Sequence, residues 1–386
     1  MIYYVLLLFF IVFLGKIDHW NESKRKKRKY LVLAFTAIIV LAAMRSWTVG
    51  IDLRNQYAKA YQLIAKMPWS AWDNLRYEWG YFAYCKTLSY ISTDIHFFIA
   101  ITALLTCASV GYFIYKNSED VVMSTFLYVA LCQMFMYYTG LRQVLAISIL
   151  LVTIEAMKKR HWVLFFVGVY IATLFHSSAA VAYILPIFYF LKFKKKEIAI
   201  SLAAIGVTLF ASQTVFSYAL TFFDKYEQGY TSSSVFARGY INNYSLLTGA
   251  IYIALFALIY LTIAWKNELQ ETDNRIFSIG LSGTKLFKSY VEDLTLPEGF
   301  LMYGSLLALV FQLFTFTVNI LTRFRFYYIP FLYISIPLAI EKTTGRYKKL
   351  VKQGIYLVLT LYFLYVCYYL AGSQWGVVPY KFFWAD

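Results

Sequence analysis

Arginine dominates the polar residues that stand at the ends of long apolar stretches. Arg45, Arg54, Arg142, Arg323 and Arg325 share such positions with Asp52, Glu78 and His176. A guanidinium is a planar fork that grips paired oxyanions in bidentate fashion, so several of them on one face suit a diphosphate and neutralise its charge without a metal. An imidazole titrates near neutrality, which makes His176 a candidate general base toward a hydroxyl. Asp52 and Glu78 compete for that role, or serve as ion-pair partners of the arginines. Arginine at a helix end also anchors side chains at a membrane interface. A charge held at membrane depth nevertheless costs roughly 2.5–3.5 kcal/mol, so such groups have a partner or a task.

The elements that must carry these residues are membrane helices. The 386 residues are 61% hydrophobic and only 15% charged, which excludes an ordinary soluble domain. A bilayer asks for about 20 apolar residues per helix. On that criterion spans fall near 1–15, 30–46, 95–115, 121–138, 141–157, 162–176, 178–191, 197–217, 244–265, 299–319, 324–341 and 350–371, which predicts an all-α polytopic transmembrane helical bundle of about twelve helices. The pair 162–176 and 178–191 is short, and Phe175-His176-Ser177-Ser178 can equally interrupt one broken or re-entrant segment. The apolar stretch Met1–Leu14 has no leading positive charge, unlike a cleavable signal peptide, and is expected to stay as a first helix starting outside.

Charge then orients the bundle. Lys24 to Lys29 is an unbroken basic run, and Lys158-Lys159-Arg160, Lys194-Lys195-Lys196, Arg346, Lys348 and Lys349 fall in loops on the same side. The larger part of the 36 basic residues is thus gathered on one face, which the positive-inside rule makes cytoplasmic. The formal net charge of +16 is explained by topology, without nucleic acid. All the candidate residues named above fall on the opposite, outer side. The reading is a single transmembrane domain, 1–386, with outer loops at 47–94 and 218–243 and a cytoplasmic loop at 266–298. Within 47–94, Gln56–Met67 is amphipathic, with Tyr57, Tyr61 and Ile64 at helical spacing, and is expected on the membrane surface beside Trp47, Trp69, Trp72 and Trp79. Those rings suit interfacial anchoring or stacking on sugar.

Several chemistries lack their signatures. The chain has no P-loop, dinucleotide fingerprint or G-x-S-x-G elbow. Cys85, Cys107, Cys132 and Cys367 are scattered, so neither a disulfide nor a metal site is inferred. No cofactor is called for.

The order of the polar residues carries a likeness. Arg45, Gly50, Asp52 and Tyr57, then Glu78-Trp79-Gly80-Tyr81, then Leu141-Arg142-Gln143 with Ala146, then Phe175-His176-Ser177-Ser178, resemble the EpsG family of Wzy-like polysaccharide polymerases. The segment Arg323–Tyr328 and Val378-Pro379-Tyr380-Lys381 look similar too, whereas 266–298 matches nothing and is taken as variable. The resemblance implies a Wzy-type, GT-C-like membrane glycosyltransferase architecture in the bacterial cytoplasmic membrane. It implies joining of oligosaccharide repeat units carried on undecaprenyl diphosphate, at the outer face, for capsule, exopolysaccharide or O-antigen. On that likeness His176, Glu78 and Asp52 are the candidate catalytic groups, and Arg142, Arg323, Arg325 and Arg45 the diphosphate ligands. Tyr57, Tyr81 and Gln143 would contact substrate. Partners implied are the lipid-linked oligosaccharide, membrane lipid, a flippase and a chain-length co-polymerase. A lipid-oligosaccharide flippase, an O-antigen ligase, an O-acetyltransferase and a structural scaffold remain as alternatives.

Overall fold

The computed structural model describes residues 1–191, 242–264, 296–343 and 345–385, together with Ala203, Gly206 and Phe210. Nearly all of the expected span at 197–217, of the outer loop at 218–243 and of the cytoplasmic loop at 266–298 lies outside the described residues. The described chain is an all-α, polytopic membrane protein. It divides into two compact units, Met1–Tyr183 with Thr344–Asp386, and Ile184–Thr343.

The first unit contains α1 (Ile2–Ile17), α2 (Lys24–Ala43), α3 (Ala58–Lys66), α4 (Trp79–Ser89), α5 (Ile95–Asn117), α6 (Val121–Ala130), α7 (Gln133–Thr139), α8 (Leu141–Lys158) and α9 (Trp162–Thr173). Serine or aspartate caps start three of them: Ser23 accepts from the Lys26 amide, Asp94 from His96, and Asp120 from Val122 and Met123. Every residue of α6 and α7 is buried, which makes this pair the centre of the unit. Cys132, in the left-handed region at φ 59°, separates the two, and their axes bend by 58°. The predicted span at 121–138 is therefore interrupted at Cys132, with the geometry of a broken span or a re-entrant pair. On α1 the two faces differ: Tyr4, Leu8 and Ile11 are buried, while Leu6, Phe9 and Phe13 are exposed, as a lipid-facing stripe requires.

The predicted pair 162–176 and 178–191 becomes α9, a 3-10 turn at Ser177–Ile184, and α10 (Leu185–Phe190), with the helix interrupted at Phe175-His176. The second unit holds α10, α11 (Asn243–Ile259), α12 (Glu298–Leu313) and α13 (Arg325–Lys342), with α12 packed on α11 and α13. The final helix, α14 (Gly345–Tyr369), packs on α6 in the first unit. Among the described residues four helices are long and apolar enough to cross a membrane, or five if the bent α6–α7 pair counts as one.

The stretch 47–94 is structured throughout. A π-helical turn at Leu53–Tyr57 leads into α3, a 3-10 turn covers Trp69–Asn74, and α4 follows. The amphipathic stripe was expected to lie on the membrane surface. It faces protein instead: Tyr57, Tyr61 and Ile64 sit in one core with Tyr81, Phe82, Phe98 and Leu145. The physical reason is that α4 and α5 offer a second apolar face, and protein packing buries the stripe fully. Trp69, Trp72 and Trp79 stay exposed.

The first unit has two chemically distinct ends. At one, the chain reverses through Arg45, Gly50 and Gly140. At the other lie the basic run and a lattice of paired charges. There Asp120 accepts from Lys352 (2.5 Å) and Asn21 (2.9 Å), Lys158 from α8 reaches Asn117 (2.9 Å), and Lys27 reaches the Ser118 carbonyl (2.9 Å). Burial alone would raise the Asp120 carboxyl, but Lys352, the Met123 amide and Asn21 together hold it below its ordinary range.

Candidate active site

Arg142, the second residue of α8, is the centre of the first end. Its Nη1 donates to Glu78 Oε2 at 2.5 Å, and its Nε points at the Tyr57 hydroxyl at 3.5 Å. Its guanidinium carbon lies 5.0 Å from the Tyr77 ring centroid, within cation–π range. Tyr57, Tyr77 and Tyr81 form a ring cluster, with centroids 5.5 Å apart for Tyr57–Tyr81 and 5.4 Å for Tyr77–Tyr81. The ion pair is largely but not wholly covered, its two side chains 18% and 17% exposed. A polar ligand can therefore approach it.

Glu78 also ties this cluster to the break after α9. Its Oε1 accepts the Ser177 backbone N–H at 3.0 Å. The Gly80 N–H donates to the Leu174 carbonyl at 2.7 Å, and a Cβ at Gly80 would stand 2.7 Å from that same oxygen. Only glycine allows so close an approach of two backbones. His176 consequently sits within one residue of the Glu78 contact. Its Nδ1 accepts the Ser178 backbone N–H at 3.3 Å and lies 2.6 Å from the Ser178 hydroxyl. In the neutral ring that arrangement leaves the proton on Nε2.

Asp52 is held by a third connection. Gly50 adopts φ +116°, a value that favours glycine, and its N–H donates to the Gly376 carbonyl at 2.9 Å. Ile51 N–H bonds the Trp375 carbonyl at 2.9 Å, and Asp52 N–H bonds Thr139 Oγ1 at 2.9 Å. The C-terminal tail and the α7–α8 corner thus fix the turn that leads to Tyr57.

The other expected site residues fall differently. Arg45 is 1% exposed, with its guanidinium 4.6 Å from the Tyr138 centroid, its Nη1 on the Ala42 carbonyl, and Tyr4 and Tyr380 nearby. Enclosed in this tyrosine cage, it holds the α2 end against the tail and presents no open surface to a diphosphate. Tyr81 is fully buried and Gln143 is 2% exposed, so both line the core behind Arg142. Arg323 and Arg325 belong to the second unit. Arg323 is exposed in the 3-10 turn Asn319–Phe324, and Arg325 opens α13, donating to Gln312 Oε1 with its guanidinium 4.8 Å from the Phe326 ring centroid.

Tyr77 and Arg76 were not singled out from the sequence, and Ser177 was named only as part of the Phe175-His176-Ser177-Ser178 run, with no role for its N–H. Arg76 is exposed and bonds Gln56 Oε1 at 3.0 Å, and Arg54 is exposed with its Nε 3.5 Å from Asn55 Oδ1. Neither has a carboxylate partner among the described residues. The one available signal was adjacency: Arg76-Tyr77 directly precedes Glu78. A backbone N–H such as that of Ser177 leaves no trace in residue type.

A model of the EpsG family matches residues 28–382. The chain belongs to the EpsG family. Its broad role is therefore that of a membrane polysaccharide polymerase, a glycosyltransferase-like enzyme. No curated protein and no solved structure matches this EpsG-family chain. The match spans every segment of the Arg142–Glu78–Ser177 cluster.

Proposed function

We propose that this EpsG-family protein polymerises lipid-diphosphate-linked oligosaccharide repeat units at the outer face of the bacterial cytoplasmic membrane, in capsule, exopolysaccharide or O-antigen assembly. The observation that carries the reading is the junction of Arg142, Glu78 and Ser177. It draws three segments far apart in sequence into one partly covered polar cluster, at the end of the first unit away from the basic run.

In the proposed reaction a hydroxyl of one repeat attacks the anomeric carbon of the growing chain. The new C–O bond replaces the bond to the lipid diphosphate, which leaves with the electron pair, while the hydroxyl proton passes to a base. Arg142, with the exposed guanidinium groups of Arg54 and Arg76, supplies fixed positive charge to the departing diphosphate, where preorganised electrostatics act most strongly. Tyr57 and Tyr77 hold the guanidinium plane of Arg142. The sugar–diphosphate bond is already activated, so no nucleotude donor enters.

The base is His176 or Asp52. Both Glu78 oxygens are already engaged as acceptors, which suits Glu78 to positioning Arg142 and the His176 turn. His176 would take the proton at Nδ1 once the Ser178 contact opens; otherwise its Nε2–H donates to substrate and Asp52 takes the proton. The test is polymer length on a gel from a deletion strain complemented with wild type, Arg142→Ala or His176→Ala at matched membrane levels. Loss of long chains, with single lipid-linked repeats accumulating at the outer face, is the expected result. Repeats trapped at the inner face would replace the polymerase with a flippase, and unchanged ladders would remove both residues from the reaction.

A further inference from the structure

The basic end of the first unit contains a cavity of about 920 Å³ between the end of α1, the turn after it, the start of α6 and the first half of α14. It lies at the opposite end of α8 from Arg142, a helix of 18 residues and so roughly 27 Å long. The polymerase reaction uses none of its residues.

Its wall changes character along the helices. On α14, Lys349, Lys352 and Gln353 line the mouth, and Tyr356, Leu357 and Thr360 follow on the same face at helical spacing. On α1 the order is the reverse in sequence and the same in space: Lys16 lies at the mouth and Val12 one turn deeper. Val122 of α6 closes the apolar part. A cavity with lysines clear of carboxylates at its mouth and apolar side chains toward the bilayer interior matches a molecule with an anionic head and a hydrocarbon tail.

Three lysines, Lys16, Lys349 and Lys352, and three carboxylates, Asp18, Glu22 and Asp120, line the mouth, and Lys26 from the start of α2 adds a fourth cation to them. Asp120 is taken by Lys352 at 2.5 Å, and Asp18 and Glu22 are taken by Lys26 at 2.7 and 3.0 Å. Lys16 and Lys349 are exposed and have no carboxylate partner among the described residues. The run Lys24–Lys29 begins α2, with Lys26 on Asp18 and Glu22 of the same mouth, and polybasic segments next to a membrane helix attract anionic lipid.

We propose that this cavity binds one anionic glycerophospholipid of the inner leaflet, its phosphate between Lys16 and Lys349 and an acyl chain along Val12, Val122 and Leu357. The bound lipid joins α1 to α14 at the end of the unit remote from the polymerising site.

The experiment is native mass spectrometry of the full-length protein, purified in detergent and given phosphatidylglycerol, phosphatidylcholine or soluble glycerol phosphate. Wild type is expected to retain one phosphatidylglycerol at several-fold higher occupancy than phosphatidylcholine. Lys16→Gln with Lys349→Gln should lower that occupancy at least fivefold, Lys16→Arg with Lys349→Arg should keep it, and Lys59→Gln on α3 should leave it unchanged. Equal retention of the two phospholipids, full retention in the double glutamine variant, or displacement by glycerol phosphate at lipid-like concentrations would each overturn the proposal. Binding is read without polymerisation, so failure here leaves the proposed reaction standing.

Discussion

Three parts of the Arg142 guanidinium have three different neighbours: Nη1 pairs with Glu78, Nε faces the Tyr57 hydroxyl, and the plane lies by the Tyr77 ring. A lysine ammonium has the same charge but neither a fork nor a plane, so it reproduces at most one of these contacts. Arg142→Lys is expected to cut polymerisation by at least about tenfold at unchanged membrane level, an effect of about 1.4 kcal/mol on the barrier. Full activity in that variant would reduce the role of Arg142 to point charge. Glu78→Gln asks the complementary question. The amide oxygen still accepts the Ser177 N–H, but the charge opposite Arg142 is gone. Since the pair is about one-fifth exposed, screening limits the loss of stability, and the change is expected mainly in polymer length, again about tenfold or more in rate.

At the scale of elements, the site depends on two places where backbones touch. Gly80 starts α4 against the last turn of α9, where a methyl group would stand 2.7 Å from the Leu174 carbonyl oxygen and 2.9 Å from its carbon. Neither atom is a flexible side-chain end. Gly80→Ala is therefore expected to push α4 from the His176 turn, costing about 1–3 kcal/mol and shortening the polymer, measured as thermal stability in detergent together with the gel ladder. Gly354→Ala on α14, where nothing lies within 4 Å, is the matched control and should be neutral or slightly stabilising. These contacts also mark how far the sequence is legible. Apolar length located α5, α12 and α14, and Asp94 and Asp120 stand where caps belong. Arg45 and Arg142 look alike in sequence, each at the edge of an apolar run, yet one is caged by tyrosines and the other faces a carboxylate. What separates them is the docking of the tail on 44–51 through backbone bonds such as Ser46 N–H to Lys381 O, and backbone bonds are made by any residue type. The stripe on α3 was visible as a period but not its partner, because a helix facing lipid and one facing protein share the same apolar spacing.

At the scale of the whole chain, the distribution of charge sets which end faces which compartment. In the first unit the carboxylates at the basic end are paired, Asp120 with Lys352, Glu155 with Lys158, and Asp18 and Glu22 with Lys26, while the run Lys24–Lys29 as a whole carries more positive charge than they offset. The positive-inside rule retains such a surface on the cytoplasmic side, and the proposed reaction accordingly requires the Arg142 end to face outward. The consequence is directly measurable because Cys85, Cys107, Cys132 and Cys367 are all buried and give little background labelling. Asp73→Cys, in the exposed 3-10 turn before α4, should react with a membrane-impermeant maleimide in intact cells. Glu22→Cys, exposed in the turn before α2, should react only after the membrane is opened. Each variant must first complement the polymer ladder, so that labelling reports a working protein. The reverse labelling pattern would put the Arg142–Glu78 pair in the cytoplasm, where an activated nucleotide sugar or an acyl donor is at hand, and the proposed use of an already activated lipid diphosphate would lose its basis.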